Sequence, residues 1–282
     1  MDWIARLNQV MDGIEHRLAA EIHPESLARM TCCSVSQFHR IFAALTNIPL
    51  AEYIRRRRMT KAAVDLQQGA TVLNTALKYG YDSPTAFNRA FRQIHGLPPS
   101  FAKRQGVRLK SYPPIRFHIT IKGEVEMEYR IVTKEAFSVL GMERTFTMKD
   151  GSSFVEIPKF WCEFFAKGYG ETVSGMYGIC VDASMESQDF RYLIADDCAP
   201  DATVPEGFTK EIIPALTWAI FEGKGPMPHA LQQLNRRIYE EWLPTNEQYA
   251  LGAGYGIEYY TCGDTSAEDY GFEIWLPVQA KG

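Results

Sequence analysis

Phe38-His39-Arg40-Ile41-Phe42 and Phe87-Asn88-Arg89-Ala90-Phe91 share the pattern Phe-x-Arg-x-Phe, and the two arginines stand 49 residues apart. The same local order surrounds both copies. Ser34 precedes the first as a helix N-cap, and Phe38, Ile41, Phe42 and Leu45 recur at the spacing of one helix face. Ser83 precedes the second, with Pro84 at the first helical position, where a missing N–H costs nothing. A short helix and a tight turn lie upstream of each: Glu25 to Met30 with Thr31 to Cys33, and Thr71 to Tyr79 with Gly80. Further out, Ile4, Leu7, Val10, Met11, Ile14 and Leu18 predict an amphipathic helix. A long helix from Pro49 to Gln68, with Tyr53, Ile54, Met59, Ala62, Ala63 and Leu66 as its apolar set and Gly69 at its end, joins the two copies.

Two helix-turn-helix units are therefore expected. A recognition helix needs an apolar inner face and short polar or arginine side chains near its N-terminus, where they enter the major groove. Both second helices satisfy this, with Ser36, Gln37, His39 and Arg40 on the outer side of the first. Arg40 and Arg89 could each be bidentate to a guanine or bind a phosphate. Charge supports the assignment. Residues 1–110 hold 16 Lys and Arg against 8 Asp and Glu, a balance of +8, whereas the remainder holds 14 against 26, a balance of −12. The basic part suits a polyanion, and the acidic part suits a cationic ligand or another protein. Within Arg55-Arg56-Arg57-Arg58 only two residues can point one way from a helix, so some are expected to pair with acids; Arg55 is the candidate for DNA.

A length of 282 residues suits two domains, and 46% hydrophobic with 23% charged residues excludes collagen, coiled-coil and wholly disordered classes. The longest apolar runs fall far short of the roughly 18–20 residues a membrane span needs, so no membrane partner is expected. The N-terminus lacks a basic segment followed by an apolar stretch. The six cysteines include no Cys-x-x-Cys pair, which argues for reduced thiols, no metal and a cytoplasmic, nucleoid-associated protein.

Ser111-Tyr112-Pro113-Pro114 begins an expected linker over 111–123, followed by strand periodicity and an expected second domain over 124–282. Strands are expected at 137–144, 176–181 and 190–195 with a helix over 154–167, and then again at 215–222, 255–261 and 272–278 with a helix over 227–242. Met176-Tyr177-Gly178-Ile179-Cys180 parallels Gly254-Tyr255-Gly256-Ile257-Glu258, so this α+β part is a duplicated strand-helix-strand-strand unit with a cleft at its pseudo-twofold. Cys180 stands where the duplication would place a second Glu258. In the last strand Phe272, Ile274 and Leu276 suit the helix-packed core, which puts Glu273 and Trp275 on the other face, the expected cleft. With Glu258 and Tyr260 from the neighbouring strand, two carboxylates and two aromatics would converge there. Acid surrounded by aromatic rings suits a flat or amine-bearing cation.

Tyr53 to Met59, Gly80-Tyr81-Asp82-Ser83, Phe87 to Phe91 and Gly96-Leu97-Pro98-Pro99 resemble the AraC/XylS DNA-binding domain over residues 5–105, in a Rob-like arrangement. The resemblance implies an all-α N-terminal domain over 1–110, binding double-stranded promoter DNA. It implies base contact by Ser36, Gln37, His39 and Arg40 from the first unit and by Pro84, Thr85, Asn88 and Arg89 from the second. Cys32 departs from it, standing where the family usually has glycine; Pro84, rigid and without a donor, leaves Arg89 for phosphate. Ile157-Pro158-Lys159-Phe160-Trp161, Phe190-Arg191-Tyr192, Ile238 to Pro244, Gly256 to Tyr260 and Glu273 to Val278 are similar to the GyrI-like effector-binding domain. That resemblance implies a small-molecule pocket with Glu258, and also Glu273, Trp161 and Tyr177.

The combined expectation is a transcription regulator, with no cofactor, whose C-terminal cleft binds a small cationic or lipophilic effector. A rival is a hydrolase using Glu258 as a base, although no His-Glu-x-x-His, Gly-x-x-x-x-Gly-Lys or Gly-x-Ser-x-Gly occurs. A second rival has the C-terminal domain binding a protein such as RNA polymerase instead of a ligand.

Overall fold

The computed structural model describes residues 3–104, 106–118, 127–149, 151–182, 184–252 and 254–281. Part of the expected linker, 119–123, lies outside the described residues.

Six helices open the chain: α1 (Trp3–His16), α2 (Pro24–Thr31), α3 (Val35–Thr46), α4 (Leu50–Gln67), α5 (Val72–Lys78) and α6 (Pro84–His95). Their starts follow the sequence signals. The Ser34 hydroxyl accepts the Gln37 N–H at 3.1 Å and the Ser83 hydroxyl accepts the Ala86 N–H at 3.1 Å, satisfying donors that a helix start leaves free. In the turn of the first unit Cys32 has φ 57°, a left-handed backbone that favours glycine, and Arg6 donates to its sulfur. The matching turn of the second unit uses Gly80 at φ 77°. That second unit has its own small core, in which Phe87, Phe91 and Ile94 pack with Met59, Leu66, Ala76 and Tyr79.

The rest is a nine-stranded antiparallel sheet with two helices on one face. Its strands are β1 (Tyr129–Lys134), β2 (Phe137–Thr147), β3 (Tyr177–Asp182), β4 (Asp189–Cys198), β5 (Thr209–Ile213), β6 (Leu216–Lys224), β7 (Tyr249–Leu251), β8 (Tyr255–Tyr260) and β9 (Gly271–Ala280). The order is β1-β6-β9-β8-β3-β4-β2-β5, with β7 added to β9. At the centre β3 pairs with β8, Ile179 opposite Ile257, so the two copies of the repeat meet on the pseudo-twofold. Helix α7 (Ser153–Ala166) belongs to the first copy and α8 (His229–Arg237) to the second; α8 widens into a π-turn over Ile238–Trp242. Strands β5 and β7 were not expected from the sequence. Of Thr209–Ile213 only Ile213 is buried, so β5 carries almost no apolar signature.

Both faces of the sheet are apolar. The helix-covered face carries Phe146, Phe190, Tyr192 and Ile194 against Phe160 and Phe164 of α7. On the opposite face Val139 of β2 and Ile213 of β5 share one cluster with Trp218 of β6, Ile179, Ile257 and Trp275. Strands from both ends of the order meet there, so the sheet curls onto itself, as accumulated strand twist allows.

The helical region and the sheet are joined by a continuous core. Leu7, Val10, Ile14, Phe38 and Phe42 belong to the same buried cluster as Phe221, Leu234, Ile238, Tyr239, Trp242 and Ile274. The segment after the helices is strapped back as well: Asn8 donates to the Phe117 carbonyl at 2.9 Å and accepts its N–H at 2.8 Å. Phe87 is fully buried, so Phe87→Ala is expected to destabilise the second helix-turn-helix unit by about 3–5 kcal/mol, read by denaturant unfolding.

Candidate functional site

Two surfaces follow from this architecture, one on each helix-turn-helix unit, and the helix-covered sheet face around Glu258 corresponds to the expected cleft. The recognition face of α6 is open: Pro84, Thr85, Asn88, Arg89 and Arg92 are exposed, while Phe87 and Phe91 face inward. A groove-reading helix requires this division.

The recognition face of α3 is covered. Ser36, Gln37 and His39 are 0%, 3% and 4% exposed, with the end of β3 against Ser36 and the segment after β2 against His39. The expectation that these residues point outward fails in this conformation: the C-terminal part supplies partners for Ser36 and for His39 Nδ1, while Gln37 Oε1 and His39 Nε2 are buried without a hydrogen bond. The hydroxyls of Ser34 and Ser36 both donate to the Asp182 carboxylate at the end of β3. Arg40 donates to the same carboxylate at 3.1 Å and lies over the Phe190 ring at 5.3 Å. His39 Nδ1 donates to the Met148 carbonyl at 3.1 Å, and the Val35 N–H donates to the Met185 carbonyl at 3.0 Å. Burial lowers the His39 pKa, so its ring stays neutral. Burial alone would raise the Asp182 pKa, but Arg40 and the two hydroxyls outweigh it and hold the carboxyl below its usual value. At the other end of α3, Arg236 of α8 donates to the Ala44 carbonyl at 3.1 Å and to the Asn47 side chain.

The arginine run serves mostly the fold. Arg57 is bound to Glu15 at 2.6 Å with little exposure, and Arg58 donates to the Leu18 carbonyl at 3.0 Å. Arg55, the candidate for DNA, is held by Glu52 and by Gln93 at 2.7 Å, and Arg56 pairs with the same Glu52.

In the cleft, Asp182, Cys180 and Gly178 alternate along β3 on the helix-covered face, and Gly178 lies opposite Glu258. Glu258 in turn lies opposite Ile274. Glu258 therefore shares its face with Phe272 and Ile274, not with Glu273 and Trp275, and the expected convergence of two carboxylates does not occur. Opposed residues of an antiparallel pair share a face, and the apolar residues of β9 mark the helix side. Tyr177, Glu273 and Trp275 form a separate group on the far face: Trp275 donates to Glu273 at 2.6 Å, Arg130 pairs with Glu273 at 2.7 Å, and the Tyr177 and Trp275 rings stand 6.0 Å apart.

Glu258 keeps Trp161 and Tyr260 of the expected set. Tyr260 donates to it at 2.7 Å and Tyr192 at 3.4 Å; Trp161 donates to the Tyr192 hydroxyl at 3.0 Å, and its ring meets Tyr260 edge-on at 5.4 Å. Glu258 is part-buried as a residue, and its carboxylate lies between these groups. Burial raises its pKa, against the lowering effects of both tyrosine hydroxyls and of Arg40. Among the described residues no Lys or Arg forms an ion pair with it. Gly178 is needed beside it, since a Cβ there would collide with the Tyr192 hydroxyl.

The integron-associated effector binding protein family model matches residues 130–278, more than half of the chain. The chain belongs to that family. A helix-turn-helix domain model matches residues 27–105 ahead of it. The transposon Tn10 TetD protein of Escherichia coli is 38% identical over 99 residues, covering 35% of this chain and 72% of its own. The transcriptional regulator Rob of Salmonella typhimurium is 26% identical over 95% of both chains. The HTH-type transcriptional activator AarP of Providencia stuartii is 33% identical over 95 residues, 33% of this chain and 70% of its own. Among solved structures, SAV2435 bound to tetraphenylphosphonium aligns with 54% of this chain and 94% of its own, at 21% identity and a TM-score of 0.47. This effector-binding family member is thus a DNA-binding transcriptional regulator with an AraC-type helix-turn-helix domain ahead of its effector-binding domain.

Sequence reasoning did not assign Tyr192, Asp182 and Tyr239 to a site. Tyr192 was within reach, because β4 alternates and Tyr192 faces Cys180 across the β3–β4 pair. Asp182 left no local signal; its partners are about 145 residues away. Removing a partner from a buried ion pair strands the other charge. Arg57→Ala is therefore expected to cost about 3–5 kcal/mol in denaturant unfolding, whereas Arg89→Ala, on the open face, should stay within about 0.5 kcal/mol of wild type.

Proposed function

We propose that this regulator binds promoter DNA through both helix-turn-helix units and responds to a lipophilic cation that pairs with Glu258. The observation that carries the ligand class is the Glu258 carboxylate itself: deep, without an ion-pair partner among the described residues, and walled by Trp161, Tyr192 and Tyr260. Such a carboxylate is costly to ionise alone, and a cation entering beside it removes that cost. The aromatic walls favour an apolar cation over a hydrated one, through cation–π contact and burial of hydrocarbon. Tetraphenylphosphonium, the ligand of SAV2435, has this chemistry and serves as the probe.

A cation paired with Glu258 requires the ionised carboxyl. Its affinity is expected to be level above the raised pKa of Glu258 and to fall about tenfold per pH unit below it. Glu258→Gln should both weaken tetraphenylphosphonium binding and flatten that pH dependence, as read by calorimetric titration. Equal affinities in the two proteins at every pH would rule out the carboxylate as the recognition group.

On the DNA side, Thr85 and Asn88 meet the groove and Arg89 meets phosphate, while Ser36, Gln37, His39 and Arg40 make their contacts when α3 is uncovered. Affinity should fall with salt at a log–log slope of about −0.9 for each phosphate neutralised. Arg89→Ala should make that slope shallower by about one. An unchanged slope would remove Arg89 from the phosphate contacts.

A further inference from the structure

In this conformation the groups that would meet DNA and the groups around the effector cleft satisfy each other. Ser34, Ser36 and Arg40 gather one acceptor at the start of α3, the place where a recognition helix presents its donors and the positive end of its dipole to DNA. The acceptor present is Asp182, whose side chain is 2% exposed against 21% for Arg40. It stands in for the oxygen of a phosphate or a base. In the other direction, Arg40 brings a cation to Asp182, and among the described residues neither Asp182 nor Glu258 forms an ion pair with any other Lys or Arg. Asp182, Cys180 and Gly178 line that face in turn, ending opposite Glu258, roughly 13 Å along the strand at about 3.3 Å per residue. The Arg40 charge acts on Cys180, Tyr239 and Glu258.

We propose that this interface is an autoinhibitory lock on the first helix-turn-helix unit, in which Asp182 replaces DNA at Ser34, Ser36 and Arg40, and Arg40 places a positive charge on the same strand face that ends at Glu258. The proposal rests on the reading of the cleft as the effector site and assigns the direction of its response. With α3 docked, only α6 is free to enter a groove, so the molecule grips DNA with one unit. A second positive charge seated on Glu258 opposes Arg40 across the same low-dielectric face and favours release of α3. DNA and cation thus both select the undocked state, and by reciprocity each raises the affinity for the other. The cation is an activator of DNA binding.

The docked state has a second clasp at its far end, where Arg236 holds the Ala44 carbonyl and the Asn47 side chain. Asp182 and Arg236 both belong to the C-terminal part and make no DNA contact in this scheme, so a gain in DNA affinity on mutating either cannot come from a new contact at the mutated helix. Gly151 marks a further close approach: with φ at +76° it lies against Pro49, where a Cβ would clash.

The test uses full-length chains and a duplex recovered by in vitro selection on the Asp182→Asn protein. Asp182→Asn is expected to bind that duplex at least tenfold more tightly than wild type, and Arg236→Ala to shift affinity in the same direction. Tetraphenylphosphonium at saturation should raise wild-type affinity by a comparable factor and add nothing further in Asp182→Asn, because the lock is already open. Hydrogen exchange over residues 34–46, which include the Val35 amide bound to Met185, should quicken in both variants and on adding the cation. Equal DNA affinity and equal exchange in wild type, Asp182→Asn and Arg236→Ala, with unchanged melting, would overturn the lock, as would a cation that weakens DNA binding. If calorimetry shows that no cation binds, the effector reading fails on its own, and the two variants still decide the lock through affinity and exchange.

Discussion

A single buried carboxylate gathers the polar contacts between the start of α3 and the C-terminal sheet. Asp182 accepts from two serine hydroxyls and one guanidinium, all three from the start of a helix that belongs to the other half of the chain. Such a site is strong while complete and costly when incomplete. Taking an acid and an arginine out of water costs several kcal/mol per ion, and their attraction with the added hydrogen bonds about repays that cost. The net worth of this polar cluster is therefore small compared with its parts, and the apolar packing of Phe38 and Phe42 supplies the rest of the docking. A coupling of about 1–3 kcal/mol from a ligand is then enough to move the balance by one or two orders of magnitude.

The same strand explains why the docking site and the ligand site communicate. Period-two alternation puts Asp182, Cys180 and Gly178 on one face of β3, and the antiparallel register sets Glu258 opposite the last of them. Each position has a steric or electrostatic role. Gly178 leaves room for the Tyr192 hydroxyl, Tyr192 and Tyr260 hydrogen-bond Glu258, and Cys180, its thiol pushed up to about 12 by burial, stays neutral between the two acids. The duplication made this asymmetry possible. A second glutamate at the Cys180 position would put a further like charge on the face and raise the cost of ionising Glu258 and Asp182 together.

Much of the fold could be read from the chain because local rules and global fold agree. Ser34 and Ser83 cap the helices that their position predicts, the Phe-x-Arg-x-Phe pair turns its phenylalanines inward, and the Tyr-Gly-Ile repeat marks the strands that meet at the centre. The misassigned cleft face has a clear physical origin. β9 is apolar on both sides, with Trp275 as buried as Ile274, so alternation alone cannot say which side meets the helices. The register against β8 decides it, and register is a property of two strands. The arginine run has a similar history: Glu15 lies 42 residues before Arg57, and no pattern within the helix announces that this arginine is spent on the core.

The covered face of α3 carries the deeper ambiguity. A helix that reads DNA and a helix that docks on an acidic strand end need the same equipment: short hydroxyls at the N-terminus and an arginine one turn on. The sequence signature is one; the partners are two. That equivalence lets Ser34, Ser36 and Arg40 change partners without being stranded, since donors released from Asp182 meet oxygen acceptors on DNA of similar geometry, and an unpaired buried donor would otherwise cost about 1–3 kcal/mol. The second unit sets the order of events. It has its own core and an open recognition face, so α6 can engage a groove while α3 is still docked. Once α6 is on the duplex, the neighbouring groove is held near α3 at high effective concentration, and the competition at Asp182 becomes intramolecular. Docking thus weakens the full two-unit grip without preventing the first encounter, and the effector acts on the step that follows it.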